Sequence, residues 1–243
     1  GRPTAAKFPF DLASLPPEAL FLGVAEDGLP VLLNLHDAVP GPLLVCGDPG
    51  CGKTAFLKMV AGGLVSMHEA DEVQFGVVTD HPDEWEEFRR SPHCAGIFPW
   101  DETSSKDFIV SLGAWAHANR SRHSVILLVD NLSQIEENES EFKDNLRWLL
   151  LRGTSRGIWP IVTINPVNGL RILPWLDLFR TRIFGFIAEA RAAEPFTKSA
   201  GADFSSLENG SQFTMREGSQ WLQFWITDPK EGELNEQRHA LVR

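Results

Sequence analysis

"LLVCGDPGCGKTAF", Leu43 to Phe56, is the stretch whose reading decides the fold. Leu43, Leu44, Val45 and Cys46 form an unbroken apolar run, as expected of a strand covered on both faces of a parallel sheet. Three glycines and a proline follow at once, and the loop closes on Lys53-Thr54. "GDPGCGKT" fits G-x-x-x-x-G-K-[ST] through Gly47, Gly52, Lys53 and Thr54. Glycines let successive backbone N–H groups turn toward one anion. The helix expected from Lys53 to about Met67 aims its positive end at the same place. Gly47, Asp48, Pro49, Gly50, Cys51, Gly52, Lys53, Thr54 and Ala55 are therefore a candidate cradle for a nucleoside triphosphate. Lys53 is expected to reach the β- and γ-phosphates and Thr54 to ligate Mg2+. Cys51 reads as a small filler of the loop.

Downstream, "EVQFGVVTD" (Glu72–Asp80) and "SVILLVD" (Ser124–Asp130) are two further buried strands. Asp130 ends the second, where a carboxylate holds Mg2+ opposite the phosphate loop. The strand lying between them in sequence suggests that another strand separates the loop strand from the Asp130 strand in space. The next residue is Asn131, where a glutamate base is usual, and an amide cannot accept the proton of an attacking water. Three outcomes are open. Glu136 or Glu137 swings in, hydrolysis is slow with Asn131 positioning water, or the triphosphate serves as a structural switch. The run Glu136, Glu137, Glu139 and Glu141 reads first as a solvated face. "GIWPIVTIN" (Gly157–Asn165) is a fourth strand, expected beside the loop strand, with Pro160 awkward for a central position. Asn165 at its end either senses the γ-phosphate or caps the turn before Pro166. Lys53, Asp130, Asn131 and Asn165 are the candidate catalytic set.

The remaining chain supplies the frame. "FLGVAEDGLPVLLNL" (Phe21–Leu35) reads as a hairpin around Glu26-Asp27-Gly28. "HPDEWEEFRRS" and "TSSKDFIVSLGAWAHAN" read as amphipathic helices, the first led by Pro82 and the second capped by Ser104 or Ser105. "ESEFKDNLRWLLLRG" reads as a third helix, with Phe142, Leu146, Leu149 and Leu150 inward and Gly153 as its stop. "RIFGFI" is a fifth strand, and "QFTMREGSQWLQFWIT" a closing hairpin. The pattern is α/β with a mainly parallel sheet covered by helices and hairpins extending its edges. Residues 1–20 read as an extended segment, 21–227 as one domain, and 228–243 as a polar tail.

The 243 residues carry a net charge of −11, which weighs against a surface that coats nucleic acid. Cys46, Cys51 and Cys94 match neither a disulfide framework nor a metal site, so a reducing, cytoplasmic setting is expected. The seven histidines show no metal spacing. No apolar run is long enough to span a bilayer, and "GRPTAAKFPF" lacks the features of a secretory signal. Trp115, Trp148, Trp221 and Trp225 fall on apolar faces and read as packing residues.

The order of these pieces resembles the FtsK/SpoIIIE/HerA superfamily of ring ATPases, over about Leu22 to Thr227. "LGVAEDGLPVLLNL" is similar to the strand pair those proteins place before the phosphate loop. "LLRGTSRGIWPIVTINP" is similar to their Gly-Arg-x-x-Gly-Ile stretch and sensor strand, and "RTRIFGFI" to their Thr-Arg-Ile strand. The resemblance implies a RecA-like P-loop core, ATP and Mg2+ at subunit boundaries, hexamers or tandem modules, and an arginine supplied in trans. Arg156 and Arg180 are candidates for that arginine. It implies a cargo that is double-stranded DNA or, in type VII secretion ATPases of the EccC kind, a protein substrate. It also implies a site at the inner face of the membrane, tethered outside this chain. Gly47, Gly52, Lys53, Thr54 and Asp130 match the pattern. Asn131, Thr154 in place of the family arginine, Asn165 in place of Gln, and the short "RSRHS" segment depart from it. The departures resemble the partly degenerate modules of secretion ATPases.

Overall fold

A computed structural model describes residues 11–197, 199 and 202–227. Ten strands form one sheet: β1 (Ala19–Ala25), β2 (Pro30–Asn34), β3 (Leu43–Cys46), β4 (Val73–Thr79), β5 (Cys94–Pro99), β6 (Ser124–Asp130), β7 (Ile158–Ile164), β8 (Thr181–Phe184), β9 (Gln212–Glu217) and β10 (Gln220–Trp225). Their spatial order is β2-β1-β10-β9-β8-β3-β7-β6-β4-β5. From β8 to β5 every pairing is parallel, and from β8 to β2 every pairing is antiparallel. β7 separates β3 from β6, as the sequence suggests.

The central parallel strands β3, β6 and β7 are buried throughout and largely apolar because both of their faces are covered. In β3, Leu44 and Cys46 face one core while Leu43 and Val45 face the other. On the first side lie α2 (Thr103–Ala118) and α3 (Ser140–Arg152), with Ile109, Leu112, Leu146 and Leu149 inward. On the second lies α1 (Lys53–Met67), burying Phe56, Leu57, Val60 and Leu64. Two single turns, α4 (Leu173–Leu176) and α5 (Ala190–Ala193), complete the first side. Pro160 is accommodated because pairing with β3 begins one residue later, at Leu43 with Ile161.

Several expectations change. Both hairpins lie on one edge, β1 pairing with β10, so they extend the sheet in one direction only. The opposite edge is β5, within "SPHCAGIFPW", which the sequence reading left without an element. Its partly exposed pattern and its glycine hide the usual signal of a strand. "HPDEWEEF" forms a 3-10 helix, Pro82–Phe88, anchored by the buried Trp85. The residue before α2 is Glu102, not a serine, and Ser105 turns its hydroxyl back to the Glu102 carbonyl. Gly153 stops α3 in a right-handed conformation, and the left-handed position falls at Gly157. In the leading segment, Leu12–Ser14 is a 3-10 turn and β1 takes in Ala19 and Leu20. The tail from Asp228 lies outside the described residues.

Candidate functional site

The carboxyl ends of β3, β6, β7 and β4 meet at one cleft of about 380 Å3. The glycine loop Gly47–Gly52 forms one wall. Gly50 and Gly52 have φ of 82° and 103°, a conformation that favours glycine. They bend the chain so that α1 opens into the cleft. Gly52, Lys53, Thr54 and Ala55 carry the first N–H groups of that helix, which have no partner within it. The loop is held from behind. The Gly47 N–H donates to the Ile164 carbonyl of β7, and the Asp48 N–H to the Phe186 carbonyl beyond β8. The Asp48 carboxylate accepts from the Ala188 N–H at 2.9 Å. Cys51 is fully buried against Gly47 and Gly185, and a Cβ on either glycine would meet its sulfur within 3 Å. The filler reading of Cys51 agrees with that packing. Burial raises its thiol pKa, with Lys53 opposing.

Lys53 folds onto its own loop. Its Nζ donates to the Gly47 carbonyl at 2.6 Å and the Asp48 carbonyl at 3.0 Å. Thr54 reaches across the cleft, its hydroxyl donating to Asp130 Oδ2 at 2.8 Å. Asp130 is nearly buried, and its Oδ1 accepts from the Thr163 hydroxyl at 2.9 Å. These hard oxygen donors, beside a ring of backbone N–H groups, suit Mg2+ and a polyphosphate.

Thr163, next to the last residue of β7, was not singled out in the sequence. It also accepts from the Asn131 N–H at 2.8 Å, so one hydroxyl fixes both residues at the end of β6. Only its place two residues before Asn165, within an otherwise apolar strand, could have signalled it. Asn131 has φ 79°, the sole positive φ at a non-glycine among the described residues. Its side-chain oxygen accepts from the Ser133 N–H at 3.1 Å and caps the 3-10 helix Leu132–Glu137. Asn165 lines the cleft and makes no side-chain cap to the turn it precedes.

Glu136 and Glu137 stand elsewhere. Glu136 accepts from Trp175 Nε1 at 2.6 Å and lies 3.8 Å from Lys143. Glu137 lies 3.9 Å from Arg171. Glu139 and Glu141 flank Lys106, and all four glutamates are exposed. Neither Arg156 nor Arg180 lines the cleft, and Arg180 donates to the Val39 carbonyl. The cleft does take in Asp80, His81 and Glu84, beyond the end of β4. Burial, together with the charges of Asp130 and Asp101, raises the Asp80 carboxyl pKa, while His81 opposes.

No protein-family model matches the chain, and no curated protein sequence does. Solved structures do. EssC (ATPases 2 and 3) from Geobacillus thermodenitrificans aligns with TM-score 0.72 and 14% identity, over 100% of this chain and 51% of its own. Thermomonospora curvata EccC (ATPases 2 and 3), in complex with a signal sequence peptide, aligns with TM-score 0.70 and 14% identity, over 93% and 43%. The pCW3 conjugation coupling protein TcpA, in monomer form with ATPγS, aligns with TM-score 0.70 and 15% identity, over 98% and 76%. The chain spans about half or less of the secretion ATPase chains it matches. At these identities the likeness is one of fold, and the fold is the RecA-like α/β core that the resemblance implied.

Proposed function

With the fold of FtsK/SpoIIIE-type ATPase domains as premise, we propose that the chain is an ATP-binding module of that kind. Gly47–Ala55 cradle the phosphates, and Thr54 and Asp130 hold Mg2+, which neutralises phosphate charge when bound. The observation that carries this reading is the 2.8 Å hydrogen bond from Thr54 to Asp130, which joins the phosphate loop to the carboxylate on β6. Lys53 leaves the Gly47 and Asp48 carbonyls for the β- and γ-phosphates, exchanging neutral acceptors for charged ones. Asn165 touches the γ-phosphate or the water beside it. Hydrolysis is slow or conditional, because Asn131 cannot act as a base and its carbonyl oxygen is already engaged as a cap.

The module works in an oligomer or beside tandem copies, and couples nucleotide state to movement of a protein substrate. Support comes from the EccC structure in complex with a signal sequence peptide, and from the pairing of ATPases 2 and 3 in that structure and in EssC. The conjugation coupling protein among them favours a second reading, a DNA motor. The net charge of −11 weighs against it. A third reading, an ATP-dependent interaction module without turnover, rests on the Asn131 geometry alone. The test is Mg·ATP turnover against a Lys53→Ala control, at concentrations that permit oligomers, with and without double-stranded DNA at low salt. The proposal expects slow turnover, lost in the variant and indifferent to DNA. Stimulation by DNA that falls with salt would favour the motor, and turnover equal to the control would favour the interaction module.

A further inference from the structure

The cleft holds three carboxylates: Asp80, Glu84 and Asp130. Asp130 has both oxygens engaged, by Thr54 and Thr163. Glu136 and Glu137, the carboxylates next after Asn131 in sequence, face Trp175, Lys143 and Arg171 instead. A base in this cleft must therefore come from another strand.

β4 supplies one. It runs parallel to β6, with Thr79 opposite Asp130. Asp80, one residue on, leaves β4 alongside the point where Asn131 leaves β6. Asp80 lies partly buried in the same cleft as Gly50, Lys53 and Thr54. The 3-10 turn that Asn131 caps carries Gln134, whose side chain opposes the upward shift that burial gives the Asp80 carboxyl. Glu84 also borders the cleft, but stands exposed on the 3-10 helix Pro82–Phe88.

Resting on the reading that the chain hydrolyses ATP, we propose that Asp80 is the general base of the reaction, in the place that Asn131 cannot fill. Its carboxylate takes a proton from the attacking water as the water oxygen bonds to the γ-phosphorus. The bond from that phosphorus to the β–γ bridging oxygen breaks, the electron pair leaves with ADP, and inorganic phosphate forms. The proton then passes from Asp80 to phosphate or solvent. A base delivered from the neighbouring strand meets the water only when the β4 and β6 ends keep their register.

The experiment compares Asp80→Asn, Asp80→Glu and Glu137→Gln, the last at an exposed carboxylate facing Arg171, with the wild type. It reads Mg·ATP turnover above the Lys53→Ala background, and calorimetric affinity for Mg·ATPγS and Mg·ADP·AlF4−. Asp80→Asn is expected to lower turnover about 100-fold or more, the usual contribution of a positioned base. Its Mg·ATPγS affinity should stay within about twofold, while the tighter binding of the aluminium fluoride complex, a transition-state mimic, is lost. Asp80→Glu keeps about a tenth of the rate, and Glu137→Gln stays within about twofold of the wild type. Three results would overturn the assignment. Asp80→Asn turnover within about threefold of wild type leaves no room for a base. An ATPγS affinity that falls about tenfold with Mg2+, but not with EDTA, makes Asp80 a metal-side residue. A wild type that binds Mg·ATPγS without turnover needs no base, and leaves the nucleotide-binding reading standing. A wild type that binds no nucleotide sinks the proposed function itself.

Discussion

The Thr54 hydroxyl donates to Asp130 Oδ2 at 2.8 Å, joining residues 76 positions apart in the chain. One residue opens α1 and the other ends β6, so the bond fixes the glycine loop against the far wall of the cleft. In Thr54→Ala, Oδ2 of a nearly buried carboxylate loses this partner. Stability should fall by about 1–2 kcal/mol, measured by urea denaturation. The Mg·ATP Kd should rise about tenfold or more by calorimetry, with little difference from wild type in EDTA.

Thr163 makes two hydrogen bonds with one hydroxyl, donating to Asp130 and accepting from the Asn131 N–H. Thr163→Val keeps the volume and removes both. A buried carboxylate oxygen and a backbone donor then lose their partner, and the variant should lose about 2–3 kcal/mol in the same denaturation experiment. Turnover should fall too, because Asp130 and Asn131 lose their common anchor.

Asn131 combines a positive φ with a cap to Ser133. Asn131→Ala loses the cap and keeps the unfavourable backbone, so it should be destabilised by about 1–2 kcal/mol. Asn131→Gly loses the cap but adopts the backbone freely, and should be about 0.5–1 kcal/mol more stable than the alanine variant. The ranking of the two midpoints in denaturant checks the account.

Gly52 sits at φ 103° with the Gly210 carbonyl 2.6 Å from where a Cβ would lie. Gly210 just precedes β9, so the closing hairpin packs onto the glycine loop. Gly52→Ala should cost about 2 kcal/mol or more and weaken nucleotide binding beyond tenfold. Gly50→Ala, at φ 82° with open space around the Cβ, should cost only about 1 kcal/mol. Melting curves and titrations on both variants separate crowding from backbone strain.

The central sheet was legible because its strands are continuous apolar runs. β4, β6 and β7 lie where "EVQFGVVTD", "SVILLVD" and "GIWPIVTIN" place them, and α1 covers the range expected from the loop. β5 was not legible. An edge strand half open to water carries no such run, and the apolar residues of "CAGIFP" are interrupted by Gly96 and show no alternation. The shared edge of the two hairpins was hidden as well, since the pairing of β1 with β10 joins segments about 200 residues apart and leaves no local trace. Within the cleft, Lys53, Thr54 and Asp130 could be read from a motif. Thr163 and Asp80 come to it only through strand register, which sequence patterns do not encode.

Isothermal titration of the folded chain with Mg·ATP, beside Lys53→Ala, tests the phosphate cradle most directly. The account predicts one saturable site of micromolar order in the wild type, with affinity reduced by about tenfold or more in the variant. No measurable binding by folded wild type, or equal affinity in the two proteins, would contradict it.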